Sequence, residues 1–342
     1  MIEIDGSIGE GGGQIVRSSL ALSIITGKPF QIYQIRANRK KPGLLNQHLT
    51  AVNAAAEISA AKTSGVKLGS SAFTFDPTTI KAGNYRFDIG TAGSTMLVFQ
   101  TILPPLMLAK EPSSITLEGG THNPMAPPFE FIKNTFLPLL ERMDVTVRAN
   151  LNSYGFYPQG GGSLKFDIQP TGKLIPLHLK EKGAIKAVNA RALVVKLPDE
   201  IGNRELRVLE SELSQLNEKN VLVVEEGRSA GNVVTVEIVS DALTETVTAI
   251  GERGVKAEQV AHTAAVEANH YLASQAAVGE HLCDQLLLPM ALAGEGSFLT
   301  SVLSAHTTTN IAVIQKFLNV EIETESIAPG LFSVKVHSRN IS

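Results

Sequence analysis

Three short stretches of the chain carry residue types suited to handling phosphate. Gly9-Glu10-Gly11-Gly-Gly13-Gln14 is a flexible turn leading into an apolar helix. Such a turn lets backbone approach an anion closely and offers Glu10 to a metal ion. It is not a Walker loop, because no Gly-Lys-Ser/Thr follows, and a bare Gly-rich turn also serves purely structural ends. Arg36-Ala-Asn-Arg39-Lys-Lys41-Pro-Gly-Leu-Leu-Asn-Gln47-His48 packs four positive charges into the six residues Arg36 to Lys41, immediately before a helix. A solvated face is the ordinary reading of such a run; with His48 beside it, a phosphate-bearing substrate is the other. In Ser304-Ala-His306-Thr-Thr-Thr-Asn310 the spacing predicts a helix from Asn310, so His306 sits where backbone N–H groups hold anions. Thr309 or Asn310 acting only as an N-cap is the plainer alternative.

The whole chain limits what these stretches can serve. It has 342 residues, 30 Lys+Arg against 33 Asp+Glu, and a net charge of -3, which excludes a global polycation that coats duplex nucleic acid. Any nucleic-acid contact must be local. One cysteine, Cys283, excludes an internal disulfide and a Cys-rich zinc site. No apolar run reaches membrane-spanning length, and Met1 leads directly into strand-like Ile2-Glu3-Ile4, so a cytoplasmic protein with no membrane partner is expected. With 43% hydrophobic residues, 5% aromatic residues and no Trp, the composition is that of an α/β or α+β globule.

The elements that must position these residues recur along the chain. An apolar helix from Ser18 stops at Gly27-Lys-Pro29 and is followed by strand-like Phe30 to Arg36. The pattern returns as Met96 to Pro112 followed by Ser113 to Glu118, and as Asp284 to Gly296 followed by Ser297 to Val302. A second helix follows each, near Leu45 to Ile58, Pro128 to Arg142 and Asn310 to Leu318. The register that carries Pro29 onto Pro112, and Glu111 onto Glu295, carries Arg17 onto Gln100 and then Asp284. It also carries Arg39 onto His122 and then His306. Polar residues at one step of three apolar helices are expected to converge on a shared cleft, since a buried charge without a partner is costly. The third unit is interrupted by a strand-helix-strand-strand-strand-helix module from about Ala184 to Ala276. The expected architecture is α/β (α+β): three pseudo-repeated units of a four-stranded sheet plus two helices, over 1–183 and 277–342, with a smaller α/β domain, 184–276, inserted in the third.

Four longer motifs resemble RNA 3'-terminal phosphate cyclase. They are Ile4 to Arg17, Arg36 to Leu49 with Gln47-His48, Gly155-Phe-Tyr-Pro158-Gln-Gly-Gly-Gly162, and Gly279-Glu-His-Leu-Cys-Asp284-Gln285, in order and completed by His306. The resemblance implies ATP-dependent conversion of an RNA 3'-terminal phosphate to a 2',3'-cyclic phosphodiester, through a histidyl-AMP enzyme and an RNA-adenylate, with release of AMP and pyrophosphate. It implies His306 as the nucleophile, with Arg17, Arg39 and Asp284 catalytic beside it. Glu10 would hold Mg²⁺ or Mn²⁺. Gln100, His281, Leu282, Cys283, Asp284 and Gln285 would line the ATP pocket, and Arg36, Arg39, Gln47 and His48 would bind the RNA phosphate. The partners implied are ATP and RNA with a 3'-terminal phosphate; a homodimer stays open. Tyr154 stands where the family is expected to carry Arg or His. Two rivals remain at this point: a cyclase-like branch that lacks the histidine, and a small-molecule transferase on the related repeated fold of enolpyruvyl transferases.

Overall fold

The computed structural model describes residues 1–339, so the last three residues of the 277–342 segment lie outside the described residues. The chain begins with β1 (Ile2–Asp5), α1 (Gly13–Thr26), β2 (Phe30–Tyr33), α2 (Asn46–Ser59), β3 (Lys62–Ser64) and β4 (Phe73–Asp76). These strands form one sheet in the order β1-β2-β4-β3, with β1 and β2 parallel and the other neighbours antiparallel. α1 ends where Gly27 adopts the left-handed conformation, with Pro29 beyond it as a second stop. β2 ends at Tyr33, three residues short of the expected Arg36, because Gln34 and Arg36 take positive φ (53° each) and turn the chain out of the ladder.

The next stretch repeats that connectivity. It runs β5 (Asn84–Asp88), α3 (Thr95–Leu106), β6 (Ser113–Gly119), α4 (Phe129–Phe131), α5 (Leu137–Glu141), β7 (Thr146–Ser153) and β8 (Gly162–Gln169), with sheet order β5-β6-β8-β7. Pro128 to Arg142 was expected as one helix; residues 132–136 instead form a π-helical turn between α4 and α5. Pro138 lacks the N–H that an α-helix there would need for the Asn134 carbonyl.

A third set starts at β9 (Leu177–Leu179) and is interrupted by β10 (Ile185–Val195), α6 (Glu200–Glu212), β11 (Glu218–Val224), β12 (Gly231–Ser240), β13 (Thr244–Ile250) and α7 (Ala257–Ala273). This interrupting segment makes its own sheet, β11-β10-β12-β13, and its own apolar core against α6 and α7. The chain then resumes with α8 (Glu280–Ala293), β14 (Glu295–Thr300), α9 (Ala305–Phe317), β15 (Val320–Ala328) and β16 (Leu331–Ser338), completing the order β9-β14-β16-β15. The molecule is thus mixed α/β with four four-stranded mixed sheets. Among the described residues no helix is long and apolar enough to cross a membrane.

One apolar cluster joins the first, second and third of these sets. α1 lies among α2, α3 and α9, which is why its apolar residues cover nearly its whole circumference rather than a stripe. Phe99 of α3 stacks on Phe166 of β8 at 3.8 Å between ring centroids, and both are fully buried. Burial of a ring of this size is worth about 1.5–3 kcal/mol. α9 begins at Ala305, five residues before the expected start. Ser304 caps it, its hydroxyl accepting the Thr307 N–H at 3.2 Å. Thr309 donates back to the Ala305 carbonyl at 2.6 Å, and Thr307 is buried, so β-branched residues of low helix propensity are carried inside the helix. His306 therefore stands in the first turn of α9, not in a loop ahead of it.

Candidate active site

The Gly-rich turn after β1 lies against the first turns of α9. Gly9 has φ +61°, and a Cβ there would come within 2.1 Å of Thr309 Oγ1, so glycine is needed for this approach. Thr309 Oγ1 in turn accepts the Glu10 N–H at 3.0 Å. The Glu10 carboxylate pairs with the Arg39 guanidinium, and Arg39 also donates to the Glu10 carbonyl at 3.2 Å. Glu10 Oε2 lies 4.0 Å from His306 Nδ1 and is buried with no hydrogen-bond partner among the described residues.

His306 is half exposed, and its ring is held at one nitrogen. Nδ1 bonds Gln14 Oε1 at 2.9 Å, and Gln14 Nε2 donates to Asp284 Oδ2 at 2.6 Å. An ionised Asp284 can only accept, so the Gln14 NH₂ must face it, which leaves the amide oxygen for the imidazole. His306 then carries its proton on Nδ1 and presents an unprotonated Nε2, which has no protein partner among the described residues. Burial lowers the His306 pKa; Asp284 opposes that, and the Arg17 and Arg39 charges add to it. The positive end of α9 works in the same direction. Burial raises the Asp284 pKa, with His306 and Arg17 opposing. The imidazole is thus kept neutral and nucleophilic.

Behind His306 a pocket of about 70 Å³ opens between the helices. Arg17, Gln100, Asp284 and Gln285 are among its walls. Burial pushes the Arg17 guanidinium down to about 10, against the pull of Asp284, so it stays cationic at neutral pH. It makes no ion pair or side-chain hydrogen bond among the described residues, which leaves a charged donor facing the pocket. Gln100 donates to Gln285 at 2.8 Å. That contact corrects the sequence register by one residue. Counted from their first residues, α1, α3 and α8 match Ser18 with Gln100 and Gln285, and Leu103-Pro104 with Leu288-Pro289, all of them pocket residues. The anchors used in the sequence lie past the helix ends, where loop length varies. Pro104 and Pro289 supply no N–H to the carbonyls of Gln100 and Gln285 one turn earlier.

Several expected residues sit elsewhere. Leu282 and Cys283 are fully buried on the inner face of α8, so their side chains pack the core and do not line the pocket. On a helix, 284, 285 and 288 share one face while 283 points away from it; Leu282 precedes the pocket by a turn and is sealed in the core. Burial pushes the Cys283 thiol up to about 12, which leaves it inert. His281 is exposed and faces Glu267 of α7 at 3.6 Å, outside the pocket wall. Arg36 spends one nitrogen on its own loop, donating to the carbonyls of Lys41 and Gly43 at 2.6 and 3.0 Å. Gln47 accepts the Ser94 N–H at 3.0 Å and ties α2 to the cap of α3. His48 is buried; its Nδ1 accepts the Leu45 N–H at 3.2 Å, and burial, then Arg17 and Arg36, hold its pKa down to about 3. It is a neutral donor through Nε2 and not a cation. His122 is buried between Thr121 and Glu130 and stacks on Phe156, so the recurrence of Arg39, His122 and His306 is not a shared cluster. Gln14, the residue joining Asp284 to His306, had no place in the expected set; a neutral amide at the end of a Gly-rich turn carries no chemical signal of its own.

A neutral histidine with a free nitrogen and an unpaired arginine in the first turns of two helices, with a second arginine on the loop beside them, define an enzyme class that handles anionic phosphorus groups. The comparisons narrow this. A model of the family described as RNA 3'-terminal phosphate cyclase matches residues 8–324. The chain is 50% identical over 324 residues to the RNA 3'-terminal phosphate cyclase of Koribacter versatilis, covering 94% of this chain and 91% of that one. It is 49% identical over 330 residues to that of Salmonella typhimurium (96% and 97%) and 47% identical over 339 residues to that of Pseudomonas fluorescens (99% and 98%). The chain belongs to the RNA 3'-terminal phosphate cyclase family. A solved enolpyruvyl transferase, NikO from Streptomyces tendae, superposes on 99% of this chain and 48% of its own, at a TM-score of 0.37 and 10% identity, too distant to bear on either fold or function.

Proposed function

We propose that the protein converts an RNA 3'-terminal phosphate to a 2',3'-cyclic phosphodiester at the expense of ATP, with His306 as the covalent carrier of AMP. The observation that carries this reading is the Asp284–Gln14–His306 chain, which leaves Nε2 free beside the unpaired Arg17. Nε2 attacks the α-phosphorus of ATP, an N–P bond forms and pyrophosphate leaves. An oxygen of the RNA 3'-phosphate then displaces the imidazole, giving an RNA-adenylate. The vicinal 2'-OH closes on the terminal phosphorus and AMP departs. Activation is needed because a phosphate dianion has no good leaving group, and closure is fast because the hydroxyl is already adjacent.

Arg17 and Gln285, with Gln100, would hold the nucleotide in the pocket. Arg39 would release Glu10 to meet phosphate, and Arg36, Gln47 and His48 would shape the receiving loop. Glu10 fits a divalent ion that arrives on the nucleotide, since Oε2 is buried without a partner while the described residues contain no group of three His, Cys, Asp or Glu side chains that could hold a metal. Mg²⁺ or Mn²⁺ there would neutralise phosphate charge in the transition state. The identical strand connectivity of three sheets supports reading 1–183 with 277–342 as one domain of three repeats and 184–276 as an insert. Buried, unpaired Cys283 is compatible with a cytoplasmic setting.

The test uses ATP labelled at the α-phosphate, without RNA. Wild type should retain acid-labile, alkali-stable label through denaturation and the His306→Ala variant should retain none, while both keep the same melting temperature. Equal labelling of both, or none on wild type that binds ATP, overturns the assignment.

A further inference from the structure

The segment between β9 and α8 does more than pack alongside the site. α8, which carries Asp284 and Gln285, starts after Gly279, a residue with no side chain to cap the helix. The N–H of Gly279 is bonded at 3.1 Å by Glu245 Oε2, from β13 of the inserted sheet. Glu245 is only 4% exposed, and burial pushes its carboxyl up to about 8, so at neutral pH it is a largely protonated side chain whose oxygen accepts the N–H that opens a 14-residue helix. The contact leaves no room for another residue: a Cβ at Gly279 would stand 2.5 Å from Glu245 Oε1. Both sides of the joint are anchored. Lys182 donates to the carbonyls of Tyr271, Leu272 and Ser274 at 2.6, 3.2 and 2.6 Å, closing the C-terminal end of α7. Tyr271 donates to the Ala277 carbonyl at 2.9 Å, and Val278 bonds the Leu299 carbonyl at 3.0 Å. On the far face of the inserted sheet's edge, Thr135 donates to Thr246 at 2.8 Å.

We infer that Glu245 is a positioning residue for nucleotide transfer: supplied by the inserted sheet, its carboxyl oxygen seats the N-terminus of α8 and thereby Gln285 at the pocket and Asp284 behind Gln14 and His306. The inference rests on the adenylylation reading for its purpose, but the geometry it asserts can be measured without turnover. Among the described residues no other side chain caps α8, so loss of Glu245 frees the first turn of the helix, and Asp284 lies one turn further on.

The test compares Glu245→Leu, Glu245→Gln and Gly279→Ala by three readouts: the dissociation constant for ATP, the NMR titration of the His306 ring, and thermal melting. Gly279 has φ −69°, which alanine adopts freely, so Gly279→Ala displaces only the flexible end of Glu245 and spares the fold. Glu245→Leu and Gly279→Ala should weaken ATP binding about tenfold, the size of one lost buried hydrogen bond. They should also move the His306 titration to lower pH, because Asp284 no longer supports the imidazolium. Glu245→Gln keeps an acceptor for the Gly279 N–H and should bind ATP within about twofold of wild type. Wild-type ATP affinity and an unmoved His306 titration in Gly279→Ala overturn the inference, whether or not Glu245→Leu folds. If wild type binds ATP but forms no adenylate, the functional reading fails while these two measurements still decide the role of Glu245.

Discussion

Between Asp284 and His306 stands a carboxamide, Gln14, where a carboxylate in direct contact would be the simpler arrangement. An amide fixes the tautomer by its orientation but cannot take the Nδ1 proton and pass it on. In the transfer proposed here the ring would therefore remain an imidazolium once Nε2 has attacked phosphorus, and a cationic ring would depart readily when the RNA phosphate arrives. A carboxylate touching Nδ1 could accept that proton and leave a more inert neutral adduct. The arrangement sets a pH dependence. His306 must be neutral, so its contribution is lost as pH falls through its lowered pKa; Asp284 must be ionised, so its contribution is lost as pH falls through its raised one. The two converge from opposite sides and both losses lie toward acid. The logarithm of the adenylylation rate should be flat above both titrations and fall below them with a slope approaching two, as a coupled pair. In Asp284→Asn the plateau should drop and the slope become one; an unchanged slope of two would remove Asp284 from the pair. Glu10, Arg17 and Asp284 stood out in the sequence because charge in an apolar or glycine-rich setting needs a reason, Arg39 through its run of positive charges and His306 through its place at a helix start. Gln14 was not, since its role exists only once two distant helices meet.

At the scale of elements, α9 decides where His306 points. Its cap is the Ser304 hydroxyl on the Thr307 N–H, two residues from the nucleophile. Ser304→Ala should cost about 1 kcal/mol, and Ser304→Asn should recover most of it. The check is the urea midpoint at unchanged denaturant slope, with a several-fold slower adenylylation rate in the alanine variant; an unmoved midpoint would mean the cap bond contributes nothing. The sequence misplaced this start because Thr307, Thr308 and Thr309 read as loop residues; the Ser304 cap starts the helix ahead of them, and Thr308 and Thr309 turn their hydroxyls back onto the Ser304 and Ala305 carbonyls. α1, α3 and α8 were easier: long apolar runs with Gly or Pro stops leave one solution. The break at 132–136 follows from Pro138, and it places Phe136 and Leu140 on the pocket wall.

Over the whole molecule, the recurrence of helix and strand along the chain foretold a cleft shared among units, and the pocket does draw walls from α1, α3, α8 and α9. It did not foretell which unit would lend which residue, because a slip of one position in a loop exchanges Asp284 for Gln285. The interruption of the third sheet has a consequence in time as well as in space. β9 lies parallel to β14, with Leu177 against Gly296, so this pairing waits for the whole intervening segment to be made and folded. The inserted sheet closes through neighbours nearby in the chain, β12 with β13 across a short turn. In pulsed hydrogen exchange during refolding, amides of β12 and β13 should gain protection before those of β14, and simultaneous protection would contradict this order. His306 and Asp284 both follow the interruption, so the proposed nucleophile and its support are assembled last. A partly folded chain has therefore already buried the inserted sheet before it owns any histidine with which to capture a nucleotide.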